Sequence, residues 1–203
     1  MENESAKVPV SDTPTIPGNL AYIIAKKTIK KSRYSSVRHY CDTDFADFLW
    51  CIKVRSRDIT RPAITGILIE PAKIVATDGK RLHITANPYP SIPPGEYEVY
   101  QVNQSKVILI AKPTTTKDKS FPDWNRPSVT MEGNAPEHEI TVDHPAYFYT
   151  EILKHRPFEI KSLQDAISDE PMNVRIYSDN QPVIITTPTR IAIIMPLLDR
   201  KVS

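Results

Sequence analysis

Glycine is scarce in this sequence, and its scarcity argues against sites that are built on glycine-rich loops. Only 5 of the 203 residues are glycine, whereas 19 are proline. A phosphate loop needs glycines whose backbone amides can approach the phosphate closely. The pair Gly79-Lys80 superficially resembles such a loop, but Ile74 stands where its first glycine belongs, and Arg81 stands where Ser or Thr would hold magnesium. A phosphate loop is therefore excluded.

Cysteine, long apolar runs and an excess of charge of one sign are also lacking. The two cysteines, Cys41 and Cys51, predict buried thiols in a reducing compartment. The first residues lack the apolar stretch of an export signal, so we expect a cytoplasmic protein. No apolar run approaches the roughly 18 residues of a membrane span, and we expect no membrane partner. The net charge of +2 does not by itself indicate nucleic-acid binding.

The sequence shows no pattern that is typical of an active site or a metal site. Neither the five histidines nor the two cysteines have paired ligand spacing. No Gly-x-Ser-x-Gly nucleophile motif occurs, and Asp42, Asp44 and Asp47 cluster where carboxylates cap a helix. We therefore expect no catalytic residue, no metal and no cofactor, and we predict that the protein is not an enzyme.

The chain divides into an arm and a domain with two related halves. Residues 1–33 contain proline and end in a basic run, which is either a solvated segment or an arm that contacts phosphate. Residues 34–87 and 139–200 each show the order β-α-β-β-β, which indicates an internal duplication within a domain of residues 34–200. Residues 88–138 form an insertion between the halves.

Apolar spacing predicts the secondary structure of both halves. In the first half, the apolar residues that share one helix face are Phe45, Phe48, Leu49 and Ile52. In the second half they are Phe148 and Ile152, flanked by Tyr149 and Leu153. The insertion adds strands at 96–102 and 107–111, which either extend one sheet or pair with another chain. The sequence therefore predicts an α+β fold with antiparallel sheets and two helices.

A basic cluster follows each predicted helix, and its residues are the candidate DNA contacts. They are Lys53, Arg55, Arg57, Lys154, His155 and Arg156. Cations at a helix C-terminus stabilise the helix dipole wherever they occur. The matching position in both halves instead favours a common basic face for a phosphate backbone. Both interpretations stay open.

Three separated motifs give the chain a family resemblance. The first motif is Ile74-Val-Ala-Thr-Asp-Gly-Lys-Arg-Leu82, the second is Phe121-Pro-Asp-Trp124 followed by Arg126, and the third runs from Ile193 to Leu197. In this order they resemble the bacterial DNA polymerase III β subunit, the sliding clamp, which has Val-Ala-Thr-Asp-Gly-His-Arg-Leu, Phe-Pro-Asp-Tyr and a terminal Met-Pro-Met. Lys80 replaces the histidine of the family. Because a full clamp subunit has three domains, the resemblance implies a shortened, one-domain-like member.

The resemblance implies a DNA-clamp-like fold, with helices that line a hole for double-stranded DNA and sheets that face outward. It also implies a cleft that receives short peptides from DNA polymerases and other clamp-binding proteins. Carried over by motif, the cleft residues are Thr77, Gly79, Lys80, Arg81, Leu82, Pro122, Arg126, Ile193, Met195, Pro196 and Leu197. We expect Lys80 and Arg81 to offer donors at the rim of an apolar pocket.

Two functions follow from the resemblance as expectations. The first is a processivity factor in DNA replication that self-associates into a homo-oligomeric ring around DNA, contacts the DNA backbone without sequence specificity, and belongs to a phage or mobile element. The alternative is a stand-alone clamp-fold protein that binds the host clamp or clamp-binding peptides and regulates replication without encircling DNA.

Overall fold

The fold is built on one continuous antiparallel sheet. The computed structural model describes residues 34–38, 43–103, 106–112, 120–155, 157–178 and 180–197, so the predicted arm at 1–33 lies outside the described residues. The described strands are β1 (Tyr34–Arg38), β2 (Gly66–Ile69), β3 (Lys73–Thr77), β4 (Arg81–Ala86), β5 (Gly95–Asn103), β6 (Lys106–Ala111), β7 (His138–Val142), β8 (Met172–Ile176), β9 (Val183–Thr186) and β10 (Arg190–Ile194). Their order across the sheet is β1-β6-β5-β2-β3-β4-β10-β9-β8-β7.

The described residues form more helices than the two that the sequence predicts. They are α1 (Thr43–Ile52), α2 (Pro127–Thr130), α3 (Pro145–Leu153) and α4 (Ile160–Ala166), with a short 3-10 helix at Pro62–Ile64. The helices α1 and α3 are the predicted ones. The expectation of two helices is wrong because α2 and α4 have too few turns to show an apolar period. In the described part of the chain, no helix is long and apolar enough to cross a membrane.

The predicted insertion extends the main sheet. The hairpin of β5 and β6 lies between β1 and β2, because β5 pairs with β2 and β6 pairs with β1. In the other half, β7, β8, β9 and β10 are consecutive neighbours. The two groups of strands meet where β4 pairs with β10. The duplication of the halves stays a prediction.

The larger core lies between the helices and one face of the sheet. Its largest fully buried side chains from α1 are Phe48 and Ile52, and those from α3 are Phe148 and Ile152. All four are buried, which confirms the predicted apolar faces of these helices. Burial of such a side chain stabilises the fold by about 1.5 to 3 kcal/mol. The helices α1 and α3 therefore cover this face of the sheet, and the opposite face is called the outer face below.

A smaller core covers the outer face of the sheet. Leu82 and Ile84 on β4 belong to it, whereas His83 between them points to the helical side, as the period of two along a strand requires. The segment that follows β6 supplies Phe121 and Trp124 to this core. The insertion thus provides two strands and also the cover of the outer face.

His83 on β4 is completely buried under α1. Its ring stacks on Trp50 with the ring centroids 3.9 Å apart, and its Nδ1 lies 3.3 Å from the Trp50 carbonyl oxygen. Burial lowers the pKa of His83 to about 3, so the imidazole is neutral near pH 7. Arg190 on β10 lies 5.3 Å from the Trp50 ring centroid and donates to Asp47 at 2.6 Å. Polar and aromatic contacts therefore fix α1 over the junction of β4 and β10.

Cys51 is the predicted buried thiol that the structure describes. It is a free cysteine in α1, and its Sγ donates to the Ile74 carbonyl oxygen at 3.3 Å. Burial raises the pKa of the Cys51 thiol, which keeps it protonated and unreactive. The prediction is confirmed for Cys51, whereas Cys41 lies outside the described residues.

Candidate peptide-binding cleft

The turn between β3 and β4 is held by its own side chains. Thr77 Oγ1 donates to the Arg81 carbonyl oxygen at 2.6 Å and accepts from the Gly79 N–H at 2.9 Å. Asp78 Oδ1 accepts from the N–H groups of Lys80 and Arg81 at 2.9 and 3.1 Å. Asp and Thr commonly stabilise turns through such bonds to the backbone. The turn therefore fixes the direction in which Lys80 and Arg81 leave the sheet.

The backbone conformation of this turn requires Gly79. Its φ of +90° lies in the left-handed region that glycine adopts without strain. A side chain at this position would also displace the guanidinium of Arg61, whose Nη1 donates to the Asp78 carbonyl oxygen at 3.1 Å. Gly79 thus allows Arg61 to lie across the turn.

The segment from Phe121 to Trp124 is attached to the outer face by two carboxylates. The Phe121 N–H donates to Glu96 Oε1 at 2.7 Å, and Trp124 Nε1 donates to Glu70 Oε1 at 3.2 Å. Lys73 Nζ lies 5.2 Å from the Trp124 ring centroid, a cation–π distance. These contacts hold the Phe-Pro-Asp-Trp motif beside the β3–β4 turn.

A cleft of about 320 Å³ opens between this segment, the β3–β4 turn and the end of β10. Its floor contains Leu82 and Ile193, which are cross-strand partners on the outer face. Beyond β10, the Met195 N–H donates to the Lys80 carbonyl oxygen at 2.9 Å, which continues the pairing of the two strands as far as the turn. The lining residues are Arg61, Ile64, Thr77, Gly79, Lys80, Arg81, Leu82, Pro122, Asp123, Trp124, Val129, Ile193 and Met195.

The structure brings together most of the residues carried over from the sliding clamp. Those that line the cleft are Thr77, Gly79, Lys80, Arg81, Leu82, Pro122, Ile193 and Met195. Three others lie outside its lining. Arg126 forms an ion pair in which its Nε lies 3.3 Å from Asp123 Oδ2. Pro196 is buried, and the Leu197 N–H donates to the Pro157 carbonyl oxygen. The three motifs are far apart in the sequence and meet at one place in the fold.

Some lining residues are absent from the carried-over set. They are Arg61, Ile64, Asp123, Trp124 and Val129. Asp123 and Trp124 belong to the Phe-Pro-Asp-Trp motif, so the motif itself contained the signal that could have identified them. Arg61 and Ile64 come from the loop and 3-10 helix after α1, and Val129 comes from α2. Only tertiary structure places these three beside the motifs.

Arg81 lines the cleft and is also an internal ion-pair partner. Its Nε lies 3.0 Å from Asp78 Oδ2, and its Nη1 lies 2.7 Å from Asp165 Oδ2 on α4. Asp165 Oδ1 also accepts from Lys53 Nζ at 2.5 Å. Burial raises the pKa of Asp165, but the hydrogen bonds from Lys53 and Arg81 outweigh burial and lower it overall. Arg81 therefore ties β4 to α4.

The predicted DNA contacts of the first half are partly engaged within the protein. Lys53 pairs with Asp165, and Arg55 Nη1 donates to the Ile52 carbonyl oxygen at 3.0 Å. Burial, followed by the charge of Arg57, lowers the pKa of Arg55. Arg57 itself is exposed. The end of α1 therefore presents less unpaired positive charge than its sequence suggests.

Two of the predicted DNA contacts of the second half also contact other residues of the protein. Lys154 Nζ lies 2.6 Å from Glu151 Oε1, one turn earlier in the chain. The ring of His155 lies 4.3 Å from that of His138, measured between centroids. Arg156 lies outside the described residues. Ion pairing thus reduces the charge of both clusters, and neither interpretation of them is decided.

A second cleft of about 450 Å³ adjoins the first on the outer face. Trp124 and Ile193 line both clefts and so form the boundary between them. The second cleft is more polar, with Lys73, Glu132 and Arg175 among its lining residues.

Among the residues that the structure describes, no group of three or more His, Cys, Asp or Glu side chains is placed so that it could hold a metal ion. The residues that line the first cleft are mostly apolar or cationic, which suits an apolar or acidic ligand better than a metal ion.

Comparison with known proteins gives matches for the structure but not for the sequence. No family model and no curated protein matches the chain. The sliding clamp of Caulobacter crescentus, solved with polyethylene glycol bound, is 14% identical with a TM-score of 0.56, covering 85% of this chain and 68% of that chain. The DNA polymerase III β subunit of Borrelia burgdorferi, in complex with a natural product, is 8% identical with a TM-score of 0.55, covering 86% and 67%. The Bacillus subtilis clamp is 12% identical with a TM-score of 0.53, covering 88% and 74%.

At these identities the similarity is one of fold. The expected clamp-like fold, with antiparallel strands and helices, is confirmed by these structures together with the sheet order described above. The chain therefore has the fold of the bacterial DNA polymerase III β subunit, the DNA sliding clamp.

Proposed function

We propose that the protein is a sliding-clamp-like processivity factor of DNA replication that binds short apolar peptide segments of a DNA polymerase or another replication protein. The observation that carries this proposal is the convergence of three separated motifs on one outer-face cleft. The clamp fold supports a role in replication. The protein acts in this proposal by binding alone, without catalysis.

The cleft has the size and chemistry of a binding site for apolar side chains. Its volume of about 320 Å³ lies within the range of about 300 to 1,000 Å³ that is usual for ligand sites. Leu82 and Ile193 form an apolar floor, and the Met195 side chain is 42% exposed beside it. An apolar side chain that enters the cleft removes these surfaces from water, which favours binding by about 25 cal/mol per Å². The clamp-fold protein of Borrelia burgdorferi, which is bound to a natural product, supports the view that such a fold holds ligands.

Peptide binding is tested with a short synthetic peptide whose apolar residues are leucine and phenylalanine. We expect the full chain to bind it, and we expect Met195→Asp to weaken binding by about tenfold or more, because the substitution removes an apolar contact and places a charged group that an apolar peptide would have to desolvate. Fluorescence anisotropy of the labelled peptide measures the affinity.

The matched control for this experiment is Leu153→Asp. Leu153 is as exposed as Met195, at 42%, but it lies at the end of α3 on the helical side. We expect this variant to bind like the unmodified protein. If the unmodified protein shows no binding, or if both variants lose affinity equally, the cleft is not the binding site.

Self-association around double-stranded DNA is the second part of the proposal. In the described part of the chain, the end strands β1 and β7 each pair with one neighbour only. An unpaired strand edge is a template for pairing with another chain. Head-to-tail pairing of β1 with β7 of another copy would continue the sheet, and a closed ring would leave no free edge.

Circular DNA tests the ring. We expect the native mass to be a multiple of 23.0 kDa, and we expect a plasmid to retain the protein until the plasmid is linearised. Retention that survives linearisation would indicate ordinary charge-based binding to the backbone, which falls steeply with salt.

A stand-alone peptide-binding role is the second candidate function. It is favoured by the ion pairs of Lys53 with Asp165 and of Lys154 with Glu151, which reduce the positive charge available to DNA. This candidate predicts a single-copy native mass and peptide binding without retention on circular DNA. The mass and plasmid experiments therefore separate the two functions.

A further inference from the structure

Four charged side chains connect the end of α1 with the β3–β4 turn. Lys53 Nζ lies 2.5 Å from Asp165 Oδ1, and Arg81 Nη1 lies 2.7 Å from Asp165 Oδ2. Arg81 Nε lies 3.0 Å from Asp78 Oδ2 in the turn. These four side chains are called the ion-pair chain below. The ion-pair chain joins the helical side of the sheet to the turn that borders the cleft.

The members of the ion-pair chain differ in burial. The side chains of Asp165 and Arg81 are 8% and 9% exposed, whereas that of Lys53 is 58% exposed. Because Arg81 and His83 lie two residues apart on β4, their side chains point to the same, helical side of the sheet. Lys53 is therefore the end of the ion-pair chain that an anion in solution can reach.

Two carboxylates share the guanidinium of Arg81, and Lys53 supplies the second cation of Asp165. A buried carboxylate that loses one of its cations is costly, since the remaining charge is poorly solvated. A guanidinium can compensate by binding one carboxylate with two of its nitrogens. If Lys53 were withdrawn, Arg81 would turn further toward Asp165. Its contact with Asp78 would then weaken.

Asp78 is the residue through which such a change would reach the cleft. Its Oδ1 accepts from the N–H groups of Lys80 and Arg81 at 2.9 and 3.1 Å, while Arg81 Nε holds its Oδ2. Without that contact the carboxylate could rotate, and the two bonds to the backbone would loosen. Gly79 and Lys80 line the cleft, so a looser turn means a less preorganised binding site.

We propose that the ion-pair chain couples the two sides of the sheet, so that a polyanion bound to Lys53 loosens the β3–β4 turn and weakens peptide binding in the cleft. The inference rests on the proposed function, in which DNA passes the helical side and a peptide occupies the cleft. The pair of Lys53 is the step that opens, because exposed ion pairs contribute little and a phosphate backbone competes for the cation. The coupling is reciprocal, so a bound peptide weakens binding of the polyanion by the same factor.

Hydrogen exchange of the turn tests the ion-pair chain without any ligand. Lys53→Gln withdraws the cation from Asp165, and we expect the Lys80 N–H to exchange about twofold to fivefold faster in this variant, which is the effect of one partly exposed ion pair. Lys53→Arg keeps the cation and is expected to restore the slower exchange. Lys154→Gln removes the exposed partner of Glu151 and is the matched control, with exchange expected to stay unchanged. NMR of the full chain measures these rates.

A short linear DNA duplex tests the coupling to the cleft. We expect a saturating concentration of the duplex to weaken binding of the labelled leucine–phenylalanine peptide by about twofold to fivefold. In Lys53→Gln the peptide is expected to bind with this weaker affinity already, and the duplex is expected to change it little. Fluorescence anisotropy measures both affinities.

The outcomes separate this inference from the proposed function. In a protein that binds the peptide, either an unchanged exchange rate in Lys53→Gln or a peptide affinity that does not respond to the duplex overturns the coupling. If the peptide does not bind at all, the proposed function is wrong, and the coupling to the cleft is wrong with it. The exchange rates then still decide whether Lys53 controls the turn.

Discussion

His83 illustrates how one buried side chain couples the stability of this fold to pH. Its ring lies between β4 and α1, stacked on Trp50, where a proton could not be solvated. The pKa of His83 is lowered from 6.5 to about 3 in the folded protein. The unfolded chain therefore binds a proton at a higher pH than the folded chain does, and protonation favours unfolding.

We predict that the free energy of unfolding falls as the pH drops below 6.5 and continues to fall until the pH reaches about 3. The stabilising effect of the neutral ring is complete above that window, and its loss has a limiting slope of about 1.4 kcal/mol per pH unit. Urea unfolding at several pH values measures this slope. His83→Phe keeps an aromatic ring against Trp50 and removes the titrating group, so we expect a shallower slope in this variant.

The control for this prediction is His144→Phe, which makes the same substitution at an exposed position. We expect this variant to keep the slope of the unmodified protein. The pKa of Asp165 is also lowered, so protonation of Asp165 destabilises the fold in acid as well. The contribution of His83 is therefore given by the difference in slope between the unmodified protein and His83→Phe. Equal slopes for the unmodified protein and His83→Phe would show that His83 does not set the pH dependence.

The segment Phe121–Trp124 is the element on which the cleft most depends. Trp124 is buried in the outer core and lies between the two clefts. Its Nε1 donates to Glu70, and its ring forms a cation–π contact with Lys73. Because the larger core lies on the helical face, the sheet does not depend on this segment for most of its buried apolar surface.

We predict that Trp124→Ala destabilises the protein by about 3 to 5 kcal/mol and detaches the segment from the sheet. Trp124→Phe keeps most of the packing and loses the bond to Glu70, and we expect a cost of about 1 kcal/mol. Chemical denaturation measures both values, and hydrogen exchange of the Phe121 N–H, which donates to Glu96, reports detachment. Tyr100→Ala, at an exposed aromatic of β5, is the control and is expected to change stability by less than about 0.5 kcal/mol. Unchanged protection of the Phe121 N–H from exchange in Trp124→Ala would contradict this role.

Local patterns identify the elements that have a regular apolar period. The faces of α1 and α3 are predicted correctly because Phe48, Ile52, Phe148 and Ile152 repeat at helical spacing and are buried. The helix α4 is missed because its 7 residues are too few to show an apolar period. Its residue Asp165 is buried, since Lys53 and Arg81 neutralise it from distant parts of the chain. Such pairing depends on the tertiary fold and is invisible to periodicity.

Sequence motifs identify some residues of the cleft, whereas only the tertiary structure identifies the others. Thr77, Leu82, Ile193 and Met195 are found through motifs that resemble a known family, and the structure places them together. Motif matching alone assigns Arg81 to the rim, although two of its nitrogens bind Asp78 and Asp165. Arg61 belongs to no motif and reaches the cleft only because Gly79 leaves room for its guanidinium. The ligand-facing charges thus depend on contacts that the sequence does not reveal.

At the scale of the whole molecule, the ends of the ten-stranded sheet decide between a ring and a stand-alone protein. The end strand β7 has few buried side chains, and its neighbour in the described residues is β8 alone. Such an edge is either protected or used for pairing. Successive N–H groups of a strand point to opposite sides, so one of Ile140 and Thr141 directs its N–H to β8 and the other directs it outward.

We predict that one of Ile140→Pro and Thr141→Pro folds normally and yet abolishes self-association, because proline removes an outward N–H without disturbing the pairing with β8. The other variant loses a bond to β8 and is expected to be destabilised. Circular dichroism separates the two, and native mass spectrometry then measures whether the folded variant has fallen to 23.0 kDa. If the folded variant keeps the mass of the unmodified oligomer, β7 is not the ring interface. If the unmodified protein itself has the mass of one chain at micromolar concentration, the stand-alone function replaces the ring.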